Sequence, residues 1–178
     1  VRHVSLAGVC FGHMNSPLAS VSRSYGDLLV RCPAALSLEE ACTLPTAWGT
    51  VHAAVSWALV RQQETVLVHS AAGGVGMVCV EYVLAMHGLL VASAGAPRKH
   101  RCLNRSGAAV RCSSRVASSL AVGASHLLCG HRADLVLNSL SRECISLSIG
   151  LLGEGGRDFE MGKRGVWSVS RQRASSSA

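Results

Sequence analysis

The chain has 178 residues, enough for one domain or for one domain with part of a second. Hydrophobic residues make up 49% and charged residues 15%, which excludes a globally disordered chain. Aromatic residues make up only 4%, so the core must consist mainly of Val, Leu and Ala. That composition is common in parallel sheets that are buried on both faces.

The apolar runs predict neither a secretory signal nor a membrane span. The run at 4–11 lacks a charged flank and a cleavage site, and the run at 77–96 is interrupted by Glu81 and His87. We therefore expect a cytoplasmic protein without membrane association. Because the first residue is Val1 and not Met, we also expect a piece of a longer chain.

The eight cysteines are spread along the chain without a Cys-x-x-Cys pair. Metal ligation needs converging clusters, and a disulfide framework is expected in short secreted chains, so we expect reduced, mostly buried thiols that act as small apolar residues. The nearest candidate for a metal cluster is His126, Cys129 and His131, which lacks a fourth ligand. The sequence therefore predicts no metal site.

The first 45 residues contain only short apolar pieces, and we interpret them as irregular. A helix is predicted to begin at Ser37, because Ser37 and Glu40 have the spacing of a capping box. At the other end of the chain, the Arg/Ser-rich residues 168–178 show no apolar periodicity and are predicted to be disordered.

Between these ends, strands and helices alternate. The predicted strands are 65–69, 89–93, 109–112, 134–138 and 157–161, and the predicted helices are 75–87, ending at Gly88 as its C-cap, 98–105 and 141–152. This alternation predicts an α/β fold, a Rossmann-type doubly wound parallel sheet. The predicted domains are 1–45, 46–167 as the nucleotide-binding domain, and the tail 168–178.

A glycine-rich turn follows the first of these strands. Gly73, Gly74, Val75 and Gly76 have the spacing of a dinucleotide-binding turn with Ala71 at its first position, and they lie between a strand and a helix. Such a turn lets a pyrophosphate approach the backbone at a helix N-terminus. A branched residue at Gly73 would block that approach and would be strained if φ is positive there. A tight turn without a ligand is the alternative.

The end of the second strand distinguishes between cofactors. An NAD site usually has an acidic residue there, whereas this chain has Ser93 followed by Arg98 and Lys99. No acidic residue occurs between Glu81 and Asp134, while seven Lys and Arg residues occur there, and the net charge is +7. This basic field favours an anion such as a 2′-phosphate, hence NADP over NAD. Nucleic acid is disfavoured because no aromatic residues are interleaved with the cations.

Four segments carry a family resemblance. Residues 38–45, 69–76, 134–140 (with Leu-Asn-Ser-Leu) and 160–164 (Glu-Met-Gly-Lys-Arg) resemble the enoyl reductase domain of polyketide and fatty acid synthases. That domain belongs to the zinc-free branch of the medium-chain dehydrogenase/reductase superfamily. The resemblance implies that residues 1–45 are a remnant of a preceding, GroES-like substrate domain.

The resemblance also implies an activity and a site. The expected reaction is the NADPH-dependent reduction of the α,β double bond of an enoyl thioester on an acyl carrier protein. By similarity, Gly73 to Gly76 hold the pyrophosphate, Ser93 and Lys99 hold the 2′-phosphate, and Asn138 lies near the nicotinamide. Lys163 matches a candidate proton donor in the family. Neighbouring synthase domains are the expected partners, with a homodimer through the parent synthase as a further possibility.

Two other functions remain open from the sequence. One is a stand-alone, zinc-free quinone oxidoreductase, and the other is an inactive NADP-binding module.

Asp158 is unusual in either case, because it occupies a strand position that is normally apolar. We expect it to be a buried carboxylate without a partner, which would be costly.

Overall fold

The computed structural model describes residues 8–15, 19–113, 115–140, 143–162 and 168–170. The chain divides into two compact units, Val1–Thr50 and Val51–Ala178. The sequence predicted a boundary after residue 45, and the assignment of separate domains stays a prediction. Most of the tail that was predicted to be disordered, 171–178, lies outside the described residues.

The first unit contains a short antiparallel pair of strands where the sequence predicted irregular structure. Its strands are β1 (Cys10–Gly12) and β2 (Leu29–Arg31), and α1 begins after them and spans Leu38–Ala58. The capping box at the start of α1 is confirmed. The Glu40 amide donates to Ser37 Oγ at 3.2 Å, and the Ser37 amide donates to Glu40 Oε2 at 2.9 Å.

The second unit is a parallel sheet with alternating helices. Its elements are β3 (Thr65–Val68), α2 (Gly74–Ala85), β4 (Leu89–Ser93), α3 (Pro97–Arg105), β5 (Ala109–Cys112), α4 (Ala117–Leu128), β6 (Ala133–Asn138), α5 (Glu143–Leu151) and β7 (Leu152–Glu160). The strand order is β5-β4-β3-β6-β7, and every pairing is parallel. The predicted Rossmann-type sheet is confirmed. Successive strands are added first on one side of β3 (β4 and β5) and then on its other side (β6 and β7). In such folds ligands bind outside the carboxyl ends of the strands at the point where the strand order changes side.

Packing in the core stabilises α4, a helix that was not predicted from the sequence. The segment has no side-chain hydrogen bond at its N-cap, and its three Ser and one Gly are weaker helix formers than its three Ala and three Leu. Its residues Leu120, Ala124 and Leu128 recur at helical spacing and are buried against Leu67 and Val136 of the central strands. Tertiary packing therefore adds to the stability that the Ala and Leu residues of this helix provide.

The end of α2 differs from the prediction. The helix ends at Ala85 and not at the predicted C-cap Gly88, and His87, with φ +54°, adopts the left-handed conformation. Gly88 is needed for a different reason: a Cβ there would lie 2.9 Å from Val83 Cγ1 and 3.2 Å from the Glu64 carbonyl oxygen. The glycine permits the close return of the chain into β4.

Two further differences concern β7 and the cysteines. β7 begins at Leu152, five residues before the predicted 157, and accommodates its glycines through a register shift against β6, between Ala133 and Leu135. The expectation of mostly buried cysteines is wrong, because only Cys79 and Cys112 are buried. In the part of the chain that the structure describes, no helix has both the length and the apolar composition to span a membrane.

The first turn of α2 packs directly on the turn that precedes it. A Cβ at Gly76 would lie 2.7 Å from Ala71 Cα and in closer contact still with the Ser70 carbonyl oxygen. Both neighbours are backbone and cannot rotate away. A Cβ at Gly74, two residues earlier, would meet nothing within 4 Å.

We therefore expect Gly76→Ala to lower the free energy of unfolding by at least about 2 kcal/mol, because an added methyl group overpacks a rigid contact. Gly74→Ala is the matched control and should leave stability unchanged or raise it by about 0.5 kcal/mol. Urea denaturation followed by circular dichroism measures both. Equal stability of the two variants would contradict the close packing at Gly76.

Candidate functional site

The glycine turn connects β3 to α2 at the carboxyl end of the sheet. Gly73 is the N-cap of α2 with φ −88°, so it does not need the positive φ that the sequence left open. Ser70, with φ +49°, makes the left-handed turn instead. The Gly73 amide donates to the Ser70 carbonyl at 2.8 Å, and the first helical hydrogen bond runs from the Met77 amide to the Gly73 carbonyl at 2.8 Å.

This geometry leaves a set of amides at the start of α2. The amides of Gly74, Val75 and Gly76 precede the first helical hydrogen bond, so they belong to the donors that a helix N-terminus leaves without intrahelical partners. Gly73 and Gly74 are exposed, and Gly76 is buried. The positive end of the helix dipole and these donors suit an anion.

A cleft of about 130 Å³ lies beside this turn, against the carboxyl end of β4. Two cationic side chains, Lys99 and Arg115, line it together with Gly73. Lys99 lies in the first turn of α3, and Arg115 follows β5. No carboxylate is among the described residues that line the cleft. The structure thus brings together Lys99 and the glycine turn, as the sequence predicted.

Arg115 is a site residue that the sequence did not distinguish. It was one of seven cations in a basic stretch, and no spacing rule distinguished it. Sheet order supplies the missing information: β5 pairs with β4, so the loop after β5 lies beside the loop after β4. The signal available in the sequence was a cation shortly after the strand 109–112, which is β5.

Ser93 is placed differently from the expectation. Its side chain is fully buried, and its Oγ lies 3.0 Å from His69 Nδ1. The other ring nitrogen of His69, Nε2, lies 2.7 Å from Ser148 Oγ. The Ser93 side chain therefore faces the interior, and a contact with a 2′-phosphate would require it to leave His69. That role stays a prediction.

Asn138 ends β6 and is also fully buried. Its Nδ2 donates to Glu160 Oε2 at 2.7 Å, and its Oδ1 accepts the Leu140 amide at 2.9 Å. The side chain thus braces the loops that follow β6 and β7, at the sheet edge where the nicotinamide was expected. Lys163 lies outside the described residues, just after Gly162, whose amide donates to Glu160 Oε1.

Asp158 does not match the expectation of a buried carboxylate. It lies on β7, the edge strand of the sheet, beside Val136, and its side chain is exposed. Desolvation by the surrounding protein, and secondarily the charge of Glu160, nevertheless raise the pKa of Asp158 to about 6. Burial acts oppositely on a base: it lowers the pKa of His69 to about 4.

No protein-family model matches the chain. A phenolphthiocerol/phthiocerol polyketide synthase of Mycobacterium tuberculosis is 35% identical over 142 residues, which cover 79% of this chain and 6% of the synthase. The chain therefore spans only a small part of the length of that relative.

Solved structures extend the comparison. The CurK enoyl reductase superposes with a TM-score of 0.80 at 31% identity, covering 87% of this chain and 46% of that one. The nucleotide-binding subdomain of the enoyl reductase domain of PpsC from Mycobacterium tuberculosis has a TM-score of 0.65 at 31% identity, covering 74% and 75%. The quinone oxidoreductase of Thermus thermophilus, also solved in complex with NADPH, has a TM-score of 0.68 at 30% identity, covering 83% and 48%.

The sheet topology and the glycine turn define a Rossmann-type nucleotide-binding protein. The relatives indicate a nicotinamide cofactor, and they identify the family within this class of proteins. The chain belongs to the enoyl reductase domains of polyketide synthases, within the medium-chain dehydrogenase/reductase superfamily. The resemblance noted in the sequence is confirmed. Among the described residues, no group of three or more His, Cys, Asp or Glu side chains could hold a metal ion.

The opposite pKa shifts of Asp158 and His69 predict a pH dependence of stability. Between about pH 4 and 6.5 the unfolded chain binds more protons at His69, so this residue makes stability rise with pH. Between about pH 4 and 6 the folded chain binds more protons at Asp158, so that residue makes stability fall with pH. The two contributions oppose each other in the native protein.

Asp158→Asn should therefore expose the His69 contribution. We expect the free energy of unfolding of this variant to rise from pH 4.5 to 6.5 more steeply than that of the native chain, by about 1 kcal/mol in total, since solvent screens an exposed carboxylate. Urea denaturation at three pH values measures the slope. Glu154→Gln, a change to an exposed carboxylate on the same strand, serves as control. Parallel profiles for Asp158→Asn and the native chain would contradict the raised pKa of Asp158.

Proposed function

We propose that this chain is the nucleotide-binding part of an NADPH-dependent enoyl reductase of a polyketide synthase. Its substrate would be an enoyl thioester held on an acyl carrier protein, and neighbouring synthase domains would supply the rest of the substrate site. The supporting observation is that Lys99 and Arg115 both line the cleft beside the glycine turn, with no carboxylate among the described residues that line it. A homodimer formed through the parent synthase is part of the same proposal.

The residues fit the cofactor in two places. The amides of Gly74, Val75 and Gly76 would receive the pyrophosphate at the N-terminus of α2. Lys99 and Arg115 would receive the ribose 2′-phosphate, since two cations favour a phosphate dianion over the neutral 2′-hydroxyl of NAD. An acidic partner for that hydroxyl is absent from the described residues that line the cleft.

Reduction of the double bond needs a hydride at the β-carbon and a proton at the α-carbon. When bound, the nicotinamide supplies the hydride. The protein's part is to orient the two partners, exclude water and direct a proton to the α-carbon. Asn138 would act indirectly: it holds Glu160 and the loop after β6 in place at the sheet edge. Lys163, three residues after Glu160, is the candidate proton donor.

A quinone oxidoreductase is the second candidate function, favoured by the similarity to the Thermus thermophilus enzyme. Titration with NADPH, followed by turnover assays with a crotonyl thioester and with a quinone, separates the possibilities. Turnover of the thioester supports the proposed reductase. Turnover of the quinone alone supports the second candidate, and binding without turnover indicates an inactive nucleotide-binding module.

Lys99→Glu should change the choice of cofactor. Replacing a cation that faces a phosphate with an anion removes a charge-assisted contact of about 1.5 to 3 kcal/mol. We expect NADPH affinity to fall at least tenfold and NADH affinity to change less than twofold, and Arg115→Ala should act in the same direction. Fluorescence titration with each cofactor measures this. Arg101→Ala, an exposed cation on the same helix that does not line the cleft, is the control. Equal losses for both cofactors would refute the phosphate assignment.

Lys163→Ala tests the proton donor and belongs in the complete synthase. Positioned general acid catalysis is typically worth 10²- to 10⁴-fold, although water can replace a missing donor. We expect kcat to fall by at least tenfold with little change in NADPH affinity. Single-turnover reduction of a crotonyl thioester, with analysis of the configuration at the α-carbon, provides the measurement. Unchanged turnover together with unchanged product configuration would exclude Lys163 from the mechanism.

A further inference from the structure

His69 is a fully buried histidine located between the sheet and the glycine turn. It directly follows β3, and 1% of its surface is exposed. Its ring contacts two other fully buried side chains: Nδ1 lies 3.0 Å from Ser93 Oγ at the end of β4, and Nε2 lies 2.7 Å from Ser148 Oγ on α5. One imidazole thus joins two strands and a helix.

The direction of these hydrogen bonds follows from the donors available. The Ser148 hydroxyl has one proton and donates it to the Cys144 carbonyl oxygen at 2.6 Å. Ser148 Oγ must therefore accept from His69, so Nε2 carries the ring proton. A neutral imidazole has one donor and one acceptor, which makes Nδ1 an acceptor and the Ser93 hydroxyl its donor. Burial keeps the ring neutral, since it lowers the pKa of His69 to about 4.

We propose that His69 is a positioning residue of the nucleotide site, acting through a directed hydrogen-bond chain that runs from Ser93 through His69 and Ser148 to the Cys144 carbonyl. These hydrogen bonds direct the hydroxyl proton of Ser93 to His69 in the interior. A phosphate oxygen can only accept, so Ser93 cannot donate to a 2′-phosphate while it donates to His69. Of the three side chains considered for the 2′-phosphate, only Lys99 and Arg115 then provide selectivity, and Ser93 does not.

The same residues fix the backbone of the glycine turn. The Ser93 carbonyl oxygen accepts the Ala71 amide at 2.9 Å, and the His69 carbonyl oxygen accepts the Ser139 hydroxyl at 3.2 Å. Main-chain and side-chain bonds of Ser93 therefore tie the start of the turn to the end of β4, where the cationic cleft begins. The spacing between the helix amides and the two cations depends on this connection.

The tautomer of His69 tests the chain of hydrogen bonds without any cofactor. Long-range ¹H–¹⁵N correlation spectra of the histidine-labelled protein, assigned by comparison with His69→Gln, should show the Nε2–H form of a neutral ring from pH 5 to 8. Ser148→Ala removes the acceptor for Nε2–H, and we expect this variant to change to the Nδ1–H form, which keeps a bond to Ser93. An Nδ1–H form in the native protein, or an unchanged tautomer in Ser148→Ala, would overturn the proposal.

The cofactor experiment tests the positioning role and rests on the proposed function. Ser93→Ala and His69→Gln should weaken NADPH and NADH by the same factor, between about threefold and thirtyfold, whereas Lys99→Glu should weaken NADPH alone. Ser119→Ala, an exposed serine on α4, should leave both affinities unchanged. Selective loss of NADPH in Ser93→Ala would overturn the proposal in favour of a phosphate ligand. Absence of dinucleotide binding in the native protein would refute the proposed function, while the tautomer measurement, which needs only the native fold, would still decide the chain of hydrogen bonds.

Discussion

The close contact between α2 and the turn before it is the constraint on which the site depends. Gly76 lies against the backbone of Ser70 and Ala71, where no side chain can be accommodated. That contact brings the helix N-terminus to the carboxyl end of β3, the central strand of the sheet. Because β3 pairs with β4 on one side and β6 on the other, the loops that follow these two strands are positioned relative to β3. The position of the site is thus determined by backbone packing, before any charged side chain contributes to ligand binding.

Electrostatics then determines which ligand suits the site. The cleft beside the turn combines a helix N-terminus with the side chains of Lys99 and Arg115. The buried polar residues nearby are hydrogen-bonded: Ser93 to His69, and Asn138 to the exposed Glu160. Buried polar groups that satisfy each other hold the strand ends in place, whereas exposed cations remain available for a ligand. The site thereby separates residues that build its shape from residues that would contact an anion.

The regular part of the fold could be predicted from the sequence because its signals are local. The β-branched strand before the glycine turn and the capping box of Ser37 and Glu40 depend on residues within a few positions, and the structure agrees with both. α4 was not predicted, since its segment has no side-chain hydrogen bond at its N-cap and its buried residues Leu120, Ala124 and Leu128 are recognised only through their packing on the sheet.

The candidate site was only partly predictable for a related reason. Lys99 was found because it follows the second strand closely, whereas Arg115 becomes adjacent only through the pairing of β5 with β4. Sequence position alone could not show that the Ser93 hydroxyl is bonded to His69, 24 residues away, instead of facing the cleft. Long-range hydrogen bonds between buried side chains leave no periodic signal in a sequence.

The hydrogen bonds around His69 also have a consequence for the order in which the protein forms during synthesis. The glycine turn is synthesised before the residues that anchor it, which are Ser93, Ser139 and Ser148. Parallel pairing of β3 with β6 likewise joins segments about 70 residues apart, and contacts of such separation form slowly. The hydrogen bond between His69 and Ser148 can therefore form only after α5 has emerged, so that a chain interrupted before residue 148 would contain the whole glycine motif without this support.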